Sequence, residues 1–168
     1  MYMLHWPTPF DWRSSETWKA FQEFRAEGRV RTLGVCNFLP EHLDRLHEET
    51  GEYPAVNQIE LHPTWQQREV VDYCKAHGIA VEAYSPMARG ADLNAGNGVI
   101  ERIAAEHGVT PAQVILRWHI ENGTIIIPKS VHADRQKQNL DLFGFVLTLK
   151  NMPRSTRLTV RRAPDMIR

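Results

Sequence analysis

With 168 residues, 42% of them hydrophobic and 24% charged, the chain is long enough for one well-buried domain and too apolar for a disordered one. Its formal net charge is +0, yet residues 150–168 hold six of the 20 basic and one of the 20 acidic residues, leaving 14 and 19 in residues 1–149, so the last stretch is compositionally foreign. Two cysteines give no disulfide framework, no apolar run is long enough to span a membrane, and Met1–Leu4 is too short and uncharged for a signal peptide, so the expected placement is cytoplasmic.

In chain order, residues 1–5 read as a strand, and 16–27 as a helix with Trp18, Phe21 and Phe24 at helical spacing, closed by Gly28. A strand over 30–35 precedes a helix with Pro40 in its first turn, a stripe of Leu39, Leu43 and Leu46, and Gly51 as its stop. A strand over 55–60, a helix over 67–77 burying Val70 and Cys74, and a strand over 79–84 continue the alternation. The loop from Ser85 to Gly98 carries Pro and Gly, and reads as too flexible for an element but suited to folding over a ligand. Two helices follow. The first shows Val99, Ile100 and Ile103; the second opens on Thr110-Pro111-Ala112-Gln113, a capping box with Pro at its first position, and buries Val114, Ile115 and Trp118.

The stretch Thr124–Asn139 draws the most attention. Ile125, Ile126 and Ile127 suit a strand covered on both faces, and Pro128 ends it. Lys129 and Ser130 come next, and a helix from Ala133 would stack Arg135 and Asn139 on one face, looking back at the strand end. This group suits a cofactor phosphate and its base; the same residues also suit a solvated turn with ordinary surface charges. Strand–helix alternation implies a parallel sheet, either doubly wound or a (β/α) barrel, with ligands at the strands' C-terminal ends. Polar residues stand at every such end: His5, Cys36-Asn37, Gln58 with Glu60, Tyr84-Ser85, and Lys129-Ser130.

Taken together, L-H-W-P at Leu4–Pro7, G-V-C-N-F at Gly34–Phe38, N-Q-I-E at Asn57–Glu60, A-Y-S-P at Ala83–Pro86 and I-P-K-S at Ile127–Ser130 resemble the aldo-keto reductases in order and spacing, in particular the prokaryotic branch that includes diketogluconate reductase. The resemblance implies a (β/α)8 TIM barrel, truncated, with residues 1–149 covering about the fourth to eighth βα units, and NADPH-dependent reduction of a small carbonyl compound, NADH being the lesser cofactor. It implies that His5 is catalytic, binding the carbonyl oxygen. Cys36, Asn37 and Gln58 would hold the nicotinamide carboxamide, and Tyr84 would stack beneath the ring. Ser85, Met87 and Gly90 would cover the pyrophosphate, and Lys129, Ser130, Arg135 and Asn139 would contact the adenosine phosphate and adenine.

Three departures qualify this. Position 36 is Cys where the branch has Ser. The family's acid, a Tyr whose pKa is lowered by a Lys paired to an Asp, has no matching segment. After residue 148 the family's acidic helix gives way to an Arg-rich, Pro-broken tail that resembles a reading-frame slip, is expected to be disordered, and lacks the interleaved aromatics of a nucleic-acid binder. The expected function is therefore an aldo-keto reductase fragment, or alternatively a non-catalytic dinucleotide-binding remnant, in either case open to self-association through unpaired barrel edges. A metal site of His5, His62 and Glu60 would need a His-x-His or Cys pair that the sequence lacks. The carbonyl substrate and the oligomeric state are not written in these residues.

Overall fold

The computed structural model describes residues 1–8, 11–94 and 98–147. The proposed basic tail, 150–168, lies outside the described residues. Two compact units divide the chain: the first comprises Met1–Ile59 and Gln67–Glu82, and the second comprises Glu60–Gln66 and residues from Ala83 onward.

In the first unit, strands β1 (Tyr2–Leu4), β2 (Leu33–Cys36) and β3 (Val56–Glu60) pair in parallel, and β4 (Ala80–Tyr84) follows them in the sheet order. Register sets Leu4 beside Val35 and Cys36 beside Gln58. Gly34 suits a point where the strands crowd together, because a Cβ there would stand 3.1 Å from Met3 Cε and 3.2 Å from the Val56 carbonyl oxygen. Helices α1 (Ser14–Ala26), α2 (Pro40–Thr50) and α3 (Arg68–Ala76) alternate with the strands, as their apolar spacing predicts. Trp18, Leu43, Leu46, Val70 and Cys74 are buried. Each fully buried Leu contributes about 1.5–3 kcal/mol through removal of apolar surface from water.

The stripe differs at one position. Leu39 caps α2, lies outside its first turn and is 40% exposed, so the buried face is Leu43 and Leu46 alone. Phe21 and Phe24 are half-buried and pack edge-on against the Tyr2 ring, at 5.5 and 6.1 Å between centroids.

In the second unit, the 3₁₀ segment Ala88–Asn94 occupies the loop read as structureless, with a kink at Arg89 and Gly90. Its formation corrects that expectation: short i,i+3 turns need no hydrophobic periodicity and leave no repeating signature. Helices α4 (Val99–His107) and α5 (Pro111–Glu121) enclose a core of Ile100, Ile103, Val114, Ile115 and Trp118. The capping box is present: Thr110 Oγ1 accepts from the Gln113 backbone N–H at 3.3 Å, and Gln113 Oε1 accepts from the Thr110 backbone N–H at 3.0 Å. Thr110→Ala should lower stability by about 1 kcal/mol in urea unfolding, the usual worth of an N-cap side chain.

Strand β5 comprises only Ile125–Ile126, follows β4 in the sheet order, and precedes α6 (Ala133–Leu140). The isoleucine run is not covered on both faces, since Ile125 and Ile127 are each 46% exposed. β5 is the last strand in the sheet order, and Ile127 lines the cavity described below. A run of β-branched residues reports strand propensity and leaves burial of the two faces undetermined.

Candidate functional site

The strand ends of the first unit bring three of the expected residues together. His5 follows β1, Asn37 follows β2, and Gln58 lies in β3 opposite Cys36. Asn37 adopts the left-handed conformation, φ 61°, which Asn tolerates better than most side chains and which turns the chain out of β2. Its backbone N–H donates to the Gln58 carbonyl at 2.9 Å, and its Nδ2 donates to the His5 carbonyl at 3.1 Å. The His5 backbone is thus tied to Asn37, while its ring is exposed.

Gln58 Nε2 donates to a carboxylate oxygen of Glu82 on β4. Glu82 went unnoticed in the sequence because it sits inside an apolar strand; its near-complete burial is tolerable because the Gln58 amide meets it. Asn57, one residue earlier, is fully buried and structural: its Nδ2 donates to the Phe38 carbonyl at 2.9 Å and its Oδ1 accepts from the Phe38 N–H at 3.4 Å. Burial, followed by the charge of Glu82, pushes the Cys36 thiol above its ordinary pKa, so the thiol is neutral and packs as a small apolar group.

In the second unit, β4 ends at the half-buried Tyr84, and Ser85 takes φ 48°. Beyond them lies a cavity of about 890 Å³, within the size of small-molecule and cofactor sites. Its walls are the loop after Ser85, the start of α5 at Thr110–Ala112, and the stretch from Ile127 to Asn139. Seven sequence-derived residues line it: Ser85, Met87, Gly90, Lys129, Ser130, Arg135 and Asn139. Arg135 and Asn139 therefore do share a helix face turned toward the strand end.

Arg89, Thr110, His132 and Gln138 also line the cavity and were not foreseen. Arg89 gave no signal because it lies in a loop without periodicity, whereas Gln138 directly precedes Asn139 on α6. Three permanent cations, Arg89, Lys129 and Arg135, face the cavity with no Asp or Glu among its lining residues. Such a wall favours an anion, and the guanidinium forks suit phosphate oxygens. Ser130 is held in place by Gln136, whose Nε2 donates to its carbonyl at 2.8 Å, while its Oγ accepts from the His132 N–H at 3.1 Å.

His62, which the metal reading invoked, is committed elsewhere. Its Nδ1 lies 3.0 Å from Asp92 Oδ2, its Nε2 lies 3.9 Å from Glu60 Oε1, and among the described residues no group of three His, Cys, Asp or Glu side chains is arranged to hold a metal. No helix among the described residues is long and apolar enough to cross a membrane.

Parallel strands alternating with helices, polar strand ends and a cavity lined by Arg89, Lys129 and Arg135 define an α/β protein with an anion-favouring cavity. The chain belongs to the aldo/keto reductase family, whose sequence pattern matches residues 1–159. It is 51% identical over 148 residues to an aldo-keto reductase of Mycolicibacterium smegmatis, a match covering 88% of this chain and 53% of that protein. It is 44% identical over 148 residues to 2,5-diketo-D-gluconic acid reductase B of a Corynebacterium species, again covering 88% of this chain and 53% of the relative. Among solved structures, a mutant of Gox0644 in complex with NADPH superposes with a TM-score of 0.89 at 44% identity, covering 95% of this chain and 58% of that one. The chain thus spans about half the length of the curated relatives it matches.

Proposed function

We propose that the chain binds NADPH and forms the cofactor-holding part of an enzyme that reduces small aldehydes or ketones, corresponding to about the fourth to eighth βα units of the family's barrel. The observation that supports this best is the cavity lined by Arg89, Lys129 and Arg135 without a carboxylate, since NADPH differs from NADH by one phosphate on the adenosine ribose. The residues present fit that group: an ammonium, two guanidinium forks, the Ser130 hydroxyl and the Asn139 amide supply donors for phosphate oxygens and a base edge. Ser85, Met87 and Gly90 lie along the same wall, where they would cover the pyrophosphate. Bound NADPH supplies the hydride. Asn37 and Gln58 orient a carboxamide by paired donor and acceptor atoms, Cys36 fills volume beside them, and Tyr84 offers a flat apolar ring. His5 binds and polarises the carbonyl oxygen.

The test is a fluorescence titration with NADPH and NADH. Each charge-assisted hydrogen bond contributes on the order of 1.5–3 kcal/mol, so Lys129→Ala should weaken NADPH about tenfold or more and NADH much less. Equal losses for the two cofactors would overturn the phosphate assignment.

A second reading, a dinucleotide-binding part without chemistry of its own, is favoured by the tyrosines. A proton-donating Tyr needs a lowered pKa. Tyr73 is shifted upward instead, first by burial and then by hydrogen bonding to the Asp44 carboxylate and to Tyr53. Tyr2 packs on Phe21 and Phe24, and Tyr84 is assigned beneath the nicotinamide.

A further inference from the structure

The loop that walls the cavity is held at both ends by buried polar groups to which the family resemblance assigns no role. Asp92 is 1% exposed, and its carboxylate is fully engaged. Oδ1 accepts from Thr64 Oγ1 at 2.7 Å, and Oδ2 accepts from the Thr64 backbone N–H at 3.1 Å and meets His62 Nδ1 at 3.0 Å. At the other end, the fully buried His119 of α5 places Nε2 3.0 Å from the Pro86 carbonyl, the geometry of a neutral ring donating that N–H. Between these two anchors the backbone is unfavourable by itself. Ala88, Arg89 and Gly90 are all left-handed, with φ of 49°, 55° and 98°, and the first two carry a Cβ. Met87, Arg89, Gly90 and Leu93 nevertheless line the cavity. A strained segment whose own residues form the wall needs an external hold, and the two anchors provide it.

We propose that Asp92 and His119 are positioning residues that fix the Ser85–Asn94 loop as one wall of the cofactor cavity, and that the Asp92 clasp on Thr64 and His62 limits how fast NADPH leaves. This rests on the NADPH reading above. Asp92→Asn removes the charge and turns an N–H₂ group toward donors that need an acceptor. Two measurements on the whole chain test it: hydrogen–deuterium exchange of the 87–94 amides, and NADPH dissociation in a stopped-flow chase. The variant should speed exchange in 87–94 at least tenfold while α1–α3 keep their protection, and should raise the NADPH dissociation rate about tenfold with the association rate unchanged. Lys129→Ala is the contrast, weakening NADPH while leaving loop exchange as it was. Should Asp92→Asn not fold, Thr64→Val removes one of the three contacts at constant volume and should produce a smaller change in both readouts.

Wild-type loop exchange in a folded Asp92→Asn chain would overturn the clasp. Faster exchange with unaltered NADPH release would overturn the role in cofactor retention. Failure of the unaltered chain to bind NADPH would overturn the cofactor reading and the retention claim with it, while the exchange measurement would still decide whether Asp92 holds the loop.

Discussion

Residues 1–168, purified and supplied with NADPH and nitrobenzaldehyde, should turn over about 10²–10⁴-fold more slowly than an intact aldo-keto reductase, even with the cofactor bound. That factor is the usual contribution of a positioned acid, because reduction of a carbonyl leaves an alkoxide that must receive a proton. In the proposed reading His5 polarises the oxygen, but Tyr73 sits where its pKa is raised, the opposite of what a proton-donating tyrosine needs. Tyr73 and Tyr53 are tied to each other at 3.3 Å and to Asp44, and the carboxylate disfavours ionisation of Tyr73. Mixing the chain with a separately made segment carrying the family's Asp, Tyr and Lys should restore turnover. Fast reduction by the chain alone, abolished by His5→Ala, would refute this and require a different acid.

Stability should fall by about 3 kcal/mol between pH 7 and pH 4 through His119 alone. Burial lowers its pKa to about 4, more than the Pro86 hydrogen bond opposes, against about 6.5 in the unfolded chain. The sign follows from linkage. A base whose folded pKa is depressed is favoured neutral in the fold, so its stabilisation is complete above pH 6.5, is lost as the pH falls because the unfolded chain takes up the proton first, and stops changing below pH 4. At about 1.4 kcal/mol per pK unit, the shift gives the stated loss. The carboxylates held low, Asp92, Glu49 and Glu52, lose their contributions only in more acidic solution, which leaves pH 5–6.5 to His119 and to His42, whose pKa burial also lowers. For Asp92, burial would raise the pKa, but hydrogen bonds from His62 and Thr64 outweigh it. Urea unfolding from pH 7 to 4 should show a steep dependence that His119→Gln flattens. Identical slopes in the two proteins would place the proton uptake elsewhere.

What the sequence revealed was mostly local. The Thr110–Gln113 box, the αL glycines after α1 and α2, and Arg135 with Asn139 on one helix face each depend on residues within a few positions, where spacing determines contact. What stayed hidden was non-local. Asp92 meets His62 across 30 residues, His119 meets Pro86 across 33, and Gln58 meets Glu82 across 24. No periodicity encodes such pairs. The isoleucine run failed differently: its propensity for a strand was correct, but exposure depends on what packs against each face of β5, which propensity does not encode.

The cavity draws every lining residue from one contiguous block, Ser85 to Asn139, whereas the residues assigned to the carbonyl and carboxamide, His5, Asn37 and Gln58, all precede it. In the proposed reading, the groups that meet the adenosine phosphate and the His5 ring that meets the carbonyl are therefore encoded in separate segments. A change confined to codons 85–139 would alter the cationic lining of the cavity while leaving His5, Asn37 and Gln58 as they are.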